Sequence, residues 1–579
     1  MSFLGVETSL TGRRWIGPDV ELTRAAELLV QRAGLPDPVC QVLARRGVVD
    51  TEAAGFLAPA LRDLLPDPRS LRDMEAATAR FLSALQNRER IAIFADYDVD
   101  GGSSAALLLV WLRDMGHRAT LYIPDRIDEG YGPNDEAMSA LAAEHDLIVC
   151  VDCGTLSHGP IAAAKGADVI VLDHHLGGET LPDALAVVNP NRQDEDGTLA
   201  HLCAAAVVFL MLVEAGRQLR ELGQKGPDLM GMLDLVGLAT VADVAPLIGV
   251  NRAFVRQGLK VMARRARPGL AALADVARMD TAPTAYHLGF LLGPRINAGG
   301  RIGQADLGAR LLATADPHEA AALAERLDQL NTDRREVEAA VRASAMAQAE
   351  ERGFDGPLAW AAGPGWHPGV VGIVASRLKE AANRPSIVIG VEDGIGKGSG
   401  RSISGIDLGA PIQRLAAEGL LIKGGGHKMA AGLTVAEDKI DAAMERLGEL
   451  LTKQGAHLAG PADLNLCGMM MPGAATVELA ELVDQAGPFG AGAPAPRYAF
   501  ADMQIRFAKR VGENHLKVSF GDGLGANLEA ISFGAYDGPL GPALENHGGA
   551  RFHLAGRLDI NNFRGRRTVQ LRLEDAARA

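Results

Sequence analysis

Three strand-like apolar runs in this 579-residue chain each end in carboxylate or imidazole side chains. The runs cover residues 91–94, 147–151 and 169–172. In an open parallel sheet, ligands bind in the crevice beyond the carboxyl ends of the strands, so three such ends predict one shared site. The polar residues that follow the runs are, in chain order, Asp96, Asp98 and Asp100, then Asp152, and then Asp173, His174 and His175.

This combination of side chains indicates a site for divalent cations. Carboxylate oxygens mixed with imidazole suit Mn²⁺ or Mg²⁺. Without cations, two carboxylates ~4 Å apart repel each other by about 4 kcal/mol at an effective dielectric constant of ~20. Asp96, Asp98 and Asp100 alternate along the chain, and alternate residues of an extended chain point the same way, which predicts that all three share one face. We therefore expect a hydrolase with two cations.

The order of predicted elements indicates several domains. Strands alternate with helices from about residue 88 to 250, which predicts a doubly wound parallel α/β sheet. Residues 317–352 predict one long helix, and short alternating strands beyond residue 461 predict a small OB-type β-barrel. The predicted domains are 1–75, a leader packed on the catalytic domain; 76–255, the catalytic domain; 256–354, a helical linker with the long connector helix; 355–457, a second α/β domain; and 458–579, the barrel.

The bulk properties exclude several classes of protein. No uninterrupted apolar run of ~18 residues predicts a membrane span, and the first residues lack the pattern of a secretory signal, so we expect a cytoplasmic protein. Five scattered cysteines do not form a disulfide framework, and Cys150 and Cys153 are interpreted as apolar filling at a strand end. The formal net charge of −14 argues weakly against a polyanionic partner, although the proposed site itself contributes part of it.

Two other interpretations of residues 96–102 remain open at this point. An acidic turn that caps the next helix is one, and the nucleophile loop of aspartyl-phosphate phosphatases, with Asp96 as the nucleophile, is the other. The phosphatase would need a later lysine and an acidic pair on downstream strand ends. Those ends instead carry Asp152 and the Asp173-His174-His175 triplet.

Taken together, the motifs resemble the DHH phosphoesterase superfamily and, within it, the RecJ family of single-strand-specific exonucleases. The resemblance covers about residues 80–579. It is carried by residues 96–102, 151–154, 173–175, 235–247, 293–301, 365–373, 398–402 and 424–432. The last three segments are similar to the DHHA1 domain, and the final ~115 residues are similar to the appended OB-type domain.

The resemblance implies a set of metal ligands and a role for the second histidine. His175 is expected to contact the scissile phosphate. Some relatives have a histidine two residues before the first aspartate, whereas this chain has Phe94, so we do not assign ligands to individual ions. The residues expected to be catalytic are Asp98, Asp100, Asp152, His174 and His175, and the expected metal ligands are Asp96, Asp98, Asp100, Asp152, His174 and Asp243.

The resemblance also implies where substrate binds. A guanidinium flanked by hydroxyl groups suits a terminal phosphate, and consecutive glycines let backbone N–H groups approach an anion. The expected substrate-binding residues are Arg295, Asn297, Arg301, Ser399, Arg401, Ser402, Gly425, Gly426 and His427. In the barrel, basic groups interleaved with aromatic rings suit a single strand; these are Lys509, Arg510, Lys517, Arg564, Arg566 and Arg567, with Phe507, Phe552 and Phe563.

The activity implied by the resemblance is 5′-to-3′ degradation of single-stranded DNA to 5′-mononucleotides, with two Mn²⁺ or Mg²⁺ ions, in DNA recombination and repair. The implied partners are single-stranded DNA, a single-strand-binding protein and a helicase, with no membrane, and the enzyme is expected to be a monomer. Two alternatives stay open. One is a DHH-family phosphodiesterase for short oligonucleotides or dinucleotides, and the other is a non-catalytic replication scaffold.

Overall fold

The structure, a computed structural model, describes residues 2–126, 129–458, 463–563 and 565–579. The chain divides into two compact units, Leu65–Gly460 and the pair of segments Met1–Leu64 and Pro461–Ala579. Within the part of the chain that is described, no helix is both long and apolar enough to cross a membrane.

The N-terminal segment contains one short strand and four helices. The first helix begins after Asp19, whose carboxylate accepts a hydrogen bond from Leu22 N at 2.8 Å, and it ends at Gly34 with a left-handed φ of 66°. The elements are β1 (Trp15–Ile16), α1 (Val20–Ala33), α2 (Asp37–Arg45), α3 (Ala53–Leu57) and α4 (Leu61–Leu64).

The first α/β domain is built on a five-stranded parallel sheet, as predicted. Its three central strands are almost wholly buried, which agrees with their continuous apolar sequence. The elements are α5 (Met74–Gln86), β2 (Ile91–Ala95), α6 (Val99–Asp114), β3 (Ala119–Tyr122), α7 (Asp135–Glu144), β4 (Leu147–Val151), α8 (His158–Ala163), β5 (Asp168–Leu172) and β6 (Ala186–Val188), and the strand order is β3-β2-β4-β5-β6.

A helical region follows the sheet and ends in the long connector helix. That helix has the predicted bounds because Asp316 caps its first turn through His318 N at 2.8 Å, and Gly353, with a φ of 80°, ends it. The elements are α9 (Ala204–Glu221), α10 (Leu233–Ala242), α11 (Gly249–Met262), α12 (Pro268–Val276), α13 (Ala285–His287), α14 (Gly293–Ile302), α15 (Leu307–Ala313) and α16 (Pro317–Arg352).

The second α/β domain has a mixed five-stranded sheet. One face packs against α17 and the other against α18 and α19, so each face has its own hydrophobic core. The elements are β7 (Ala359–Pro364), α17 (Pro368–Ala382), β8 (Ser386–Glu392), β9 (Ile395–Arg401), α18 (Gly409–Ala417), β10 (Lys423–His427), β11 (Ala430–Ala436) and α19 (Ile440–Lys453), in the sheet order β10-β11-β9-β8-β7.

The C-terminal segment forms the predicted barrel. Strands β14, β15, β16, β18 and β17 pair in that order, and β17 pairs back with β14 to close a five-stranded barrel. The elements are β12 (Leu464–Asn465), β13 (Gly468–Met469), α20 (Val477–Gln485), β14 (Tyr498–Val511), β15 (His515–Gly521), β16 (Asn527–Ser532), α21 (Leu540–Glu545), β17 (Arg551–Phe563) and β18 (Arg566–Arg578).

The N-terminal segment shares its hydrophobic core with the barrel, which differs from the predicted leader packed on the catalytic domain. Trp15 is fully buried and its Nε1 donates to Asp575 Oδ2 at 2.9 Å. Strand β1 pairs in parallel with β12, and α1 and α2 share an apolar core with α20. Burial of Trp15 and of the inner face of α2 therefore assigns residues 1–64 to the C-terminal unit. The other predicted boundaries stay predictions.

We expect Trp15→Phe to destabilise the barrel unit by about 1–3 kcal/mol, because it leaves the buried Asp575 carboxylate without its indole donor. Hydrogen exchange of the β18 amides measures this loss. Trp111→Phe is a matched control, since Trp111 is also buried but its Nε1 makes no hydrogen bond to a described residue. Exchange in α6 reports on that control, and equal losses in the two variants would contradict the role given to Asp575.

Candidate metal centre

The three strand ends that carry the predicted ligands lie side by side. Strand β4 lies between β2 and β5, and all three run parallel. The chain leaves β2 for β3 on one side and later returns to β4 on the other, so the connections diverge between β2 and β4. A crevice forms at such a point of an open α/β sheet. Asp152 therefore follows the central strand of the three.

Asp96, Asp98 and Asp152 form one group of candidate ligands. Each offers a carboxylate oxygen, and these oxygens lie within 4.8 Å of one another. Asp98 is also the N-cap of α6, since its Oδ1 accepts hydrogen bonds from Asp100 N at 2.8 Å and Gly101 N at 3.1 Å. A Cβ at position 101 would lie 2.4 Å from the Asp96 carbonyl oxygen, so this tight turn requires glycine.

Asp100 belongs to a second group, with His174 and Asp243. Its two carboxylate oxygens accept hydrogen bonds from the first backbone amides of α9, Ala204 N at 2.7 Å and Ala205 N at 2.8 Å. The prediction that Asp96, Asp98 and Asp100 share one face of an extended chain is therefore wrong. Helix α6 begins at Val99, so Asp100 lies in its first turn and not on an extended segment, and its carboxylate binds the start of α9.

Asp152 and His174 connect the two groups. His174 Nε2 lies 3.2 Å from Asp152 Oδ1, 3.7 Å from Asp100 Oδ2 and 3.8 Å from Asp243 Oδ2. Asp152 also groups with His174 and His175, and its backbone has a left-handed φ of 60°, which is rare for a residue other than glycine. Such local strain is typical of functional sites.

Protein groups compensate the charges of these carboxylates only in part. Burial, followed by repulsion from neighbouring carboxylates, raises the pKa of Asp96 and Asp152 well above the ordinary range and that of Asp243 to about 8. Asp96 Oδ1 and Asp152 Oδ1 have no hydrogen-bond partner among the described residues, because the short distance from Asp152 to His174 lacks hydrogen-bond geometry. Oxygen donors with one imidazole fit hard divalent cations.

His175 is oriented by Asp173, a residue whose role the sequence motif did not define. Asp173 Oδ1 lies 2.8 Å from His175 Nδ1, and its Oδ2 accepts a hydrogen bond from Thr155 N at 3.0 Å. Burial opposes the charged imidazole, but this hydrogen bond and the charge of Asp173 prevail and raise the pKa of His175 to about 9. The Tyr131 hydroxyl donates to the Asp152 carbonyl oxygen at 3.1 Å and lies 3.2 Å from the His175 ring nitrogens.

Three arginines from different segments lie near one another, and two of them lie near ligands of the metal centre, Arg126 near Asp96 and Arg301 near Asp98. Burial, followed by repulsion from Arg126, lowers the pKa of Arg301 to about 10 and also lowers that of Arg401. Arg301 donates to the Gly369 carbonyl oxygen at 2.9 Å, and Arg126 lies over the Tyr97 ring at 5.3 Å. The sequence reasoning missed Arg126 because it searched strand ends for acidic side chains. The signal was a basic residue after β3, the neighbour of β2.

The other predicted residues of α14 have internal partners. Arg295 Nε donates to Asp328 Oδ1 at 2.8 Å on α16, and Asn297 Oδ1 accepts a hydrogen bond from Val99 N at 3.1 Å. Asn297 thus fixes the start of α6, the helix whose first turn carries Asp100. For both residues, direct contact with substrate stays a prediction.

The predicted residues of the second α/β domain divide into two sets. Ser399 and Arg401 alternate on β9, and both side chains approach Gly372 of α17. Ser402 is buried, and its hydroxyl donates to the Ile406 carbonyl oxygen at 2.7 Å, so it stabilises the turn after β9. Gly425, Gly426 and His427 lie on the edge strand β10, and a Cβ at position 426 would lie 2.3 Å from the Ala430 carbonyl oxygen.

The barrel residues predicted to contact a single strand are only partly available. Lys509 lies over the half-exposed Phe507 ring at 5.6 Å, whereas Lys517 pairs with Glu529 at 3.0 Å and Arg567 with Glu481 at 2.5 Å. Phe552 is buried in the barrel core, so the prediction that it stacks on bases is wrong. Arg564 and the side chain of Phe563 lie outside the described residues.

Comparisons with known proteins agree with this arrangement. Residues 90–240 match the DHH family N-terminal domain, residues 355–453 the DHHA1 domain and residues 468–575 the RecJ OB domain. The chain is 40% identical to the single-stranded-DNA-specific exonuclease RecJ of Dickeya dadantii, over 93% of this chain and 96% of the relative. The chain belongs to the RecJ family.

Solved structures of RecJ show the same fold. The crystal structure of RecJ with Mn²⁺ from Thermus thermophilus is 28% identical, with a TM-score of 0.80, and the match covers 97% of this chain and 79% of that one. The corresponding Mg²⁺ complex is 27% identical, with a TM-score of 0.74, and the match covers 97% and 78%. The fold class predicted from the sequence is confirmed, and both metals named in these structures are those predicted here.

We expect removal of divalent cations to destabilise the Leu65–Gly460 unit increasingly as the pH rises. A carboxyl whose folded pKa is raised, such as Asp243 at about 8 against an ordinary 3.8, retains its proton in the folded state while the unfolded chain releases it. Stability of the metal-free protein should therefore fall between about pH 4 and pH 8, and Mn²⁺ should restore it. Thermal unfolding with chelator across this range measures the effect.

Asp152→Asn removes one of the repelling charges. In the metal-free protein at pH 8 we expect the variant to unfold about 2 °C or more above the parent, and we expect Mn²⁺ to stabilise it less. Asp168→Asn is a control, since Asp168 begins β5 at the opposite end of the strand and pairs with Arg80. If metal-free Asp152→Asn unfolded at a lower temperature than the parent, charge repulsion at Asp152 would not be what destabilises the metal-free protein.

Proposed function

We propose that this protein degrades single-stranded DNA from the 5′ end to 5′-mononucleotides and that it acts in DNA recombination and repair. The observation that carries the proposal is the convergence of Asp96, Asp98, Asp100, Asp152, His174 and Asp243 at one sheet edge in a member of the RecJ family. The complete ligand set argues against a non-catalytic scaffold, and the barrel argues for a substrate longer than a dinucleotide.

The two groups of ligands would hold the two cations, with Asp152 between them. Bound there, Mn²⁺ or Mg²⁺ supplies Lewis acidity to the scissile phosphate and lowers the pKa of the attacking water. The backbone amides that bind Asp98 and Asp100 fix both carboxylates before substrate arrives. This preorganisation favours the transition state, because no reorientation of ligands is needed during the reaction.

His175 would contribute a positive charge at the scissile phosphate. With a pKa raised to about 9 it is protonated at neutral pH, and nearly half of its side chain is exposed. Asp173 keeps Nδ1 engaged, so Nε2 would be the nitrogen that contacts the phosphate. A protonated imidazole next to a phosphate oxygen stabilises the negative charge that develops there.

The 5′ end would be held by basic residues near the metal centre. Arg126, Arg301 and Arg401 come from three segments of one compact unit, and Ser399 adds a hydroxyl beside Arg401. Planar guanidinium groups bind phosphate through paired hydrogen bonds. A terminal phosphate held in this position would place the first phosphodiester at the metal centre, which accounts for release of single nucleotides.

The cellular setting belongs to the same proposal. We expect the enzyme to act as a monomer in the cytoplasm, together with a single-strand-binding protein and a helicase that supply single strands.

We expect Asp152→Ala to lower nucleotide release by about a thousandfold or more, since loss of the shared ligand removes about 4 kcal/mol of transition-state stabilisation. The assay compares 5′- and 3′-labelled single-stranded DNA with Mn²⁺ and sizes the products on a gel. Filter binding with chelator is the control and should show nearly unchanged DNA binding. Turnover equal to that of the parent would contradict the metal assignment.

Arg401→Ala should weaken the preference for a 5′-phosphorylated end by about tenfold, the effect of about 1.4 kcal/mol from one charge-assisted contact. Paired kinetics on 5′-phosphate and 5′-hydroxyl oligonucleotides measure the preference. Arg414→Ala is a matched control on the same domain, because Arg414 pairs with Glu418 on α18 at 2.9 Å. An unchanged preference in Arg401→Ala would move phosphate recognition to other residues.

A further inference from the structure

A positively charged cleft lies in the unit formed by Met1–Leu64 and Pro461–Ala579. Its volume is about 370 Å³, and it lies between the C-terminal end of α2 and the loop that precedes β14. Both elements belong to the same compact unit. Residues that line it include Val42, Arg45, Arg46, Cys467, Pro494 and Arg497.

The arginines of this cleft differ in their charge partners. Arg497 pairs with Glu574 at 2.5 Å. Among the described residues, no carboxylate lies within 4.0 Å of the guanidinium nitrogens of Arg45 or Arg46. Other arginines that are mostly buried, such as Arg80, Arg192 and Arg267, have an acidic partner. The cleft therefore carries two uncompensated positive charges.

Backbone carbonyl groups hold both guanidinium groups in place. Arg46 donates to the Gly492 and Pro494 carbonyl oxygens at 3.1 and 3.0 Å, and Arg45 donates to that of Leu466. The Nε of Arg45 is buried and has no acceptor among the described residues. These neutral partners fix the orientation of the cations without neutralising them.

The end of α2 explains only part of this arrangement. Its C-terminal dipole corresponds to about half a negative charge, against two full positive charges. Burial lowers the pKa of Arg46, but arginine stays protonated in proteins. The Cys467 thiol supplies no counter-charge, because burial raises its pKa. An anionic ligand bound in the cleft would neutralise the charges of Arg45 and Arg46.

We propose that this cleft binds the phosphate of a nucleotide, either a free mononucleotide or one nucleotide of a single strand. Two fixed guanidinium groups match phosphate oxygens, and the apolar surfaces of Val42, Pro494 and Pro496 can contact the sugar or base. The volume suits one nucleotide. The proposal goes beyond the exonuclease activity and does not depend on it.

Cys467 provides a probe at the site itself. It is 7% exposed, whereas Cys40, Cys150, Cys153 and Cys203 are at most 1% exposed. A ligand in the cleft should slow alkylation of Cys467 in the full-length protein, as followed by mass spectrometry. Chelator is present throughout to stop turnover. The probes are thymidine 5′-monophosphate, inorganic phosphate, an oligothymidylate and an acidic peptide.

The test compares two variants that lose the same charge. Arg45→Gln/Arg46→Gln keeps a donor for the carbonyl oxygens, and Arg13→Gln/Arg24→Gln removes two cations of the same unit outside the cleft. We expect saturable protection by a nucleotide, weakened by about tenfold or more in the first variant and unchanged in the second. Protection by thymidine 5′-monophosphate indicates a free nucleotide, and protection by oligothymidylate alone indicates a strand.

Other outcomes would overturn the proposal. These are absence of protection by either nucleotide probe, equal affinity in the two variants, protection by inorganic phosphate at the same concentration as the nucleotide, and protection by the acidic peptide alone. Protection measured on the unchanged protein decides the matter even if the Arg45→Gln/Arg46→Gln variant does not fold.

Discussion

Repulsion among buried carboxylates is the constraint on which the catalytic domain depends. Asp96, Asp100 and Asp152 are almost wholly buried; Asp96 and Asp152 offer oxygens within 4.8 Å of each other, and His174 lies between Asp152 and Asp100. The fold offsets part of this repulsion with backbone N–H groups at two helix starts, α6 for Asp98 and α9 for Asp100. These partial positive charges hold the carboxylates in place but leave oxygen atoms for cations. The fold of the domain therefore leaves a negative charge at this centre that bound cations would neutralise.

Helix α14 connects this centre to the second α/β domain. Asn297 binds the first amide of α6, and Arg301 donates to Gly369 at the start of α17. A Cβ on Gly300 would lie 2.9 Å from the Tyr97 carbonyl oxygen, so the helix can approach the Asp96–Asp98 loop only because position 300 lacks a side chain. One short helix therefore positions the Asp96–Asp98 loop and the Arg301 guanidinium group relative to each other.

The periodicity of the chain was informative where elements are long and uniform. The apolar runs before Asp152 and Asp173 become adjacent buried strands, and the helix-forming run from Pro317 to Arg352 becomes α16 with the predicted bounds. Local turns were harder. Asp100 was expected on an extended segment, but the capping bond from Asp98 starts α6 earlier and changes the direction of its side chain. The sequence also allowed an acidic turn that caps this helix, but the pattern of residue types did not show that Asp98 forms the cap.

The order of residues determined which chemical groups this protein possesses and where each stands along its strands, because carboxylates and histidines after apolar runs are visible without coordinates. The sequence motifs also showed the resemblance to the RecJ family, which implies the positions of the metal ligands. Only the tertiary structure decided which of these groups lie together. It places Asp152 and His174 between two sets of ligands and brings Arg126 near Arg301 and Arg401. In the other unit it brings Trp15 into contact with Asp575. Contacts between residues far apart in the chain depend on packing and burial, and these arise only when the whole chain has folded.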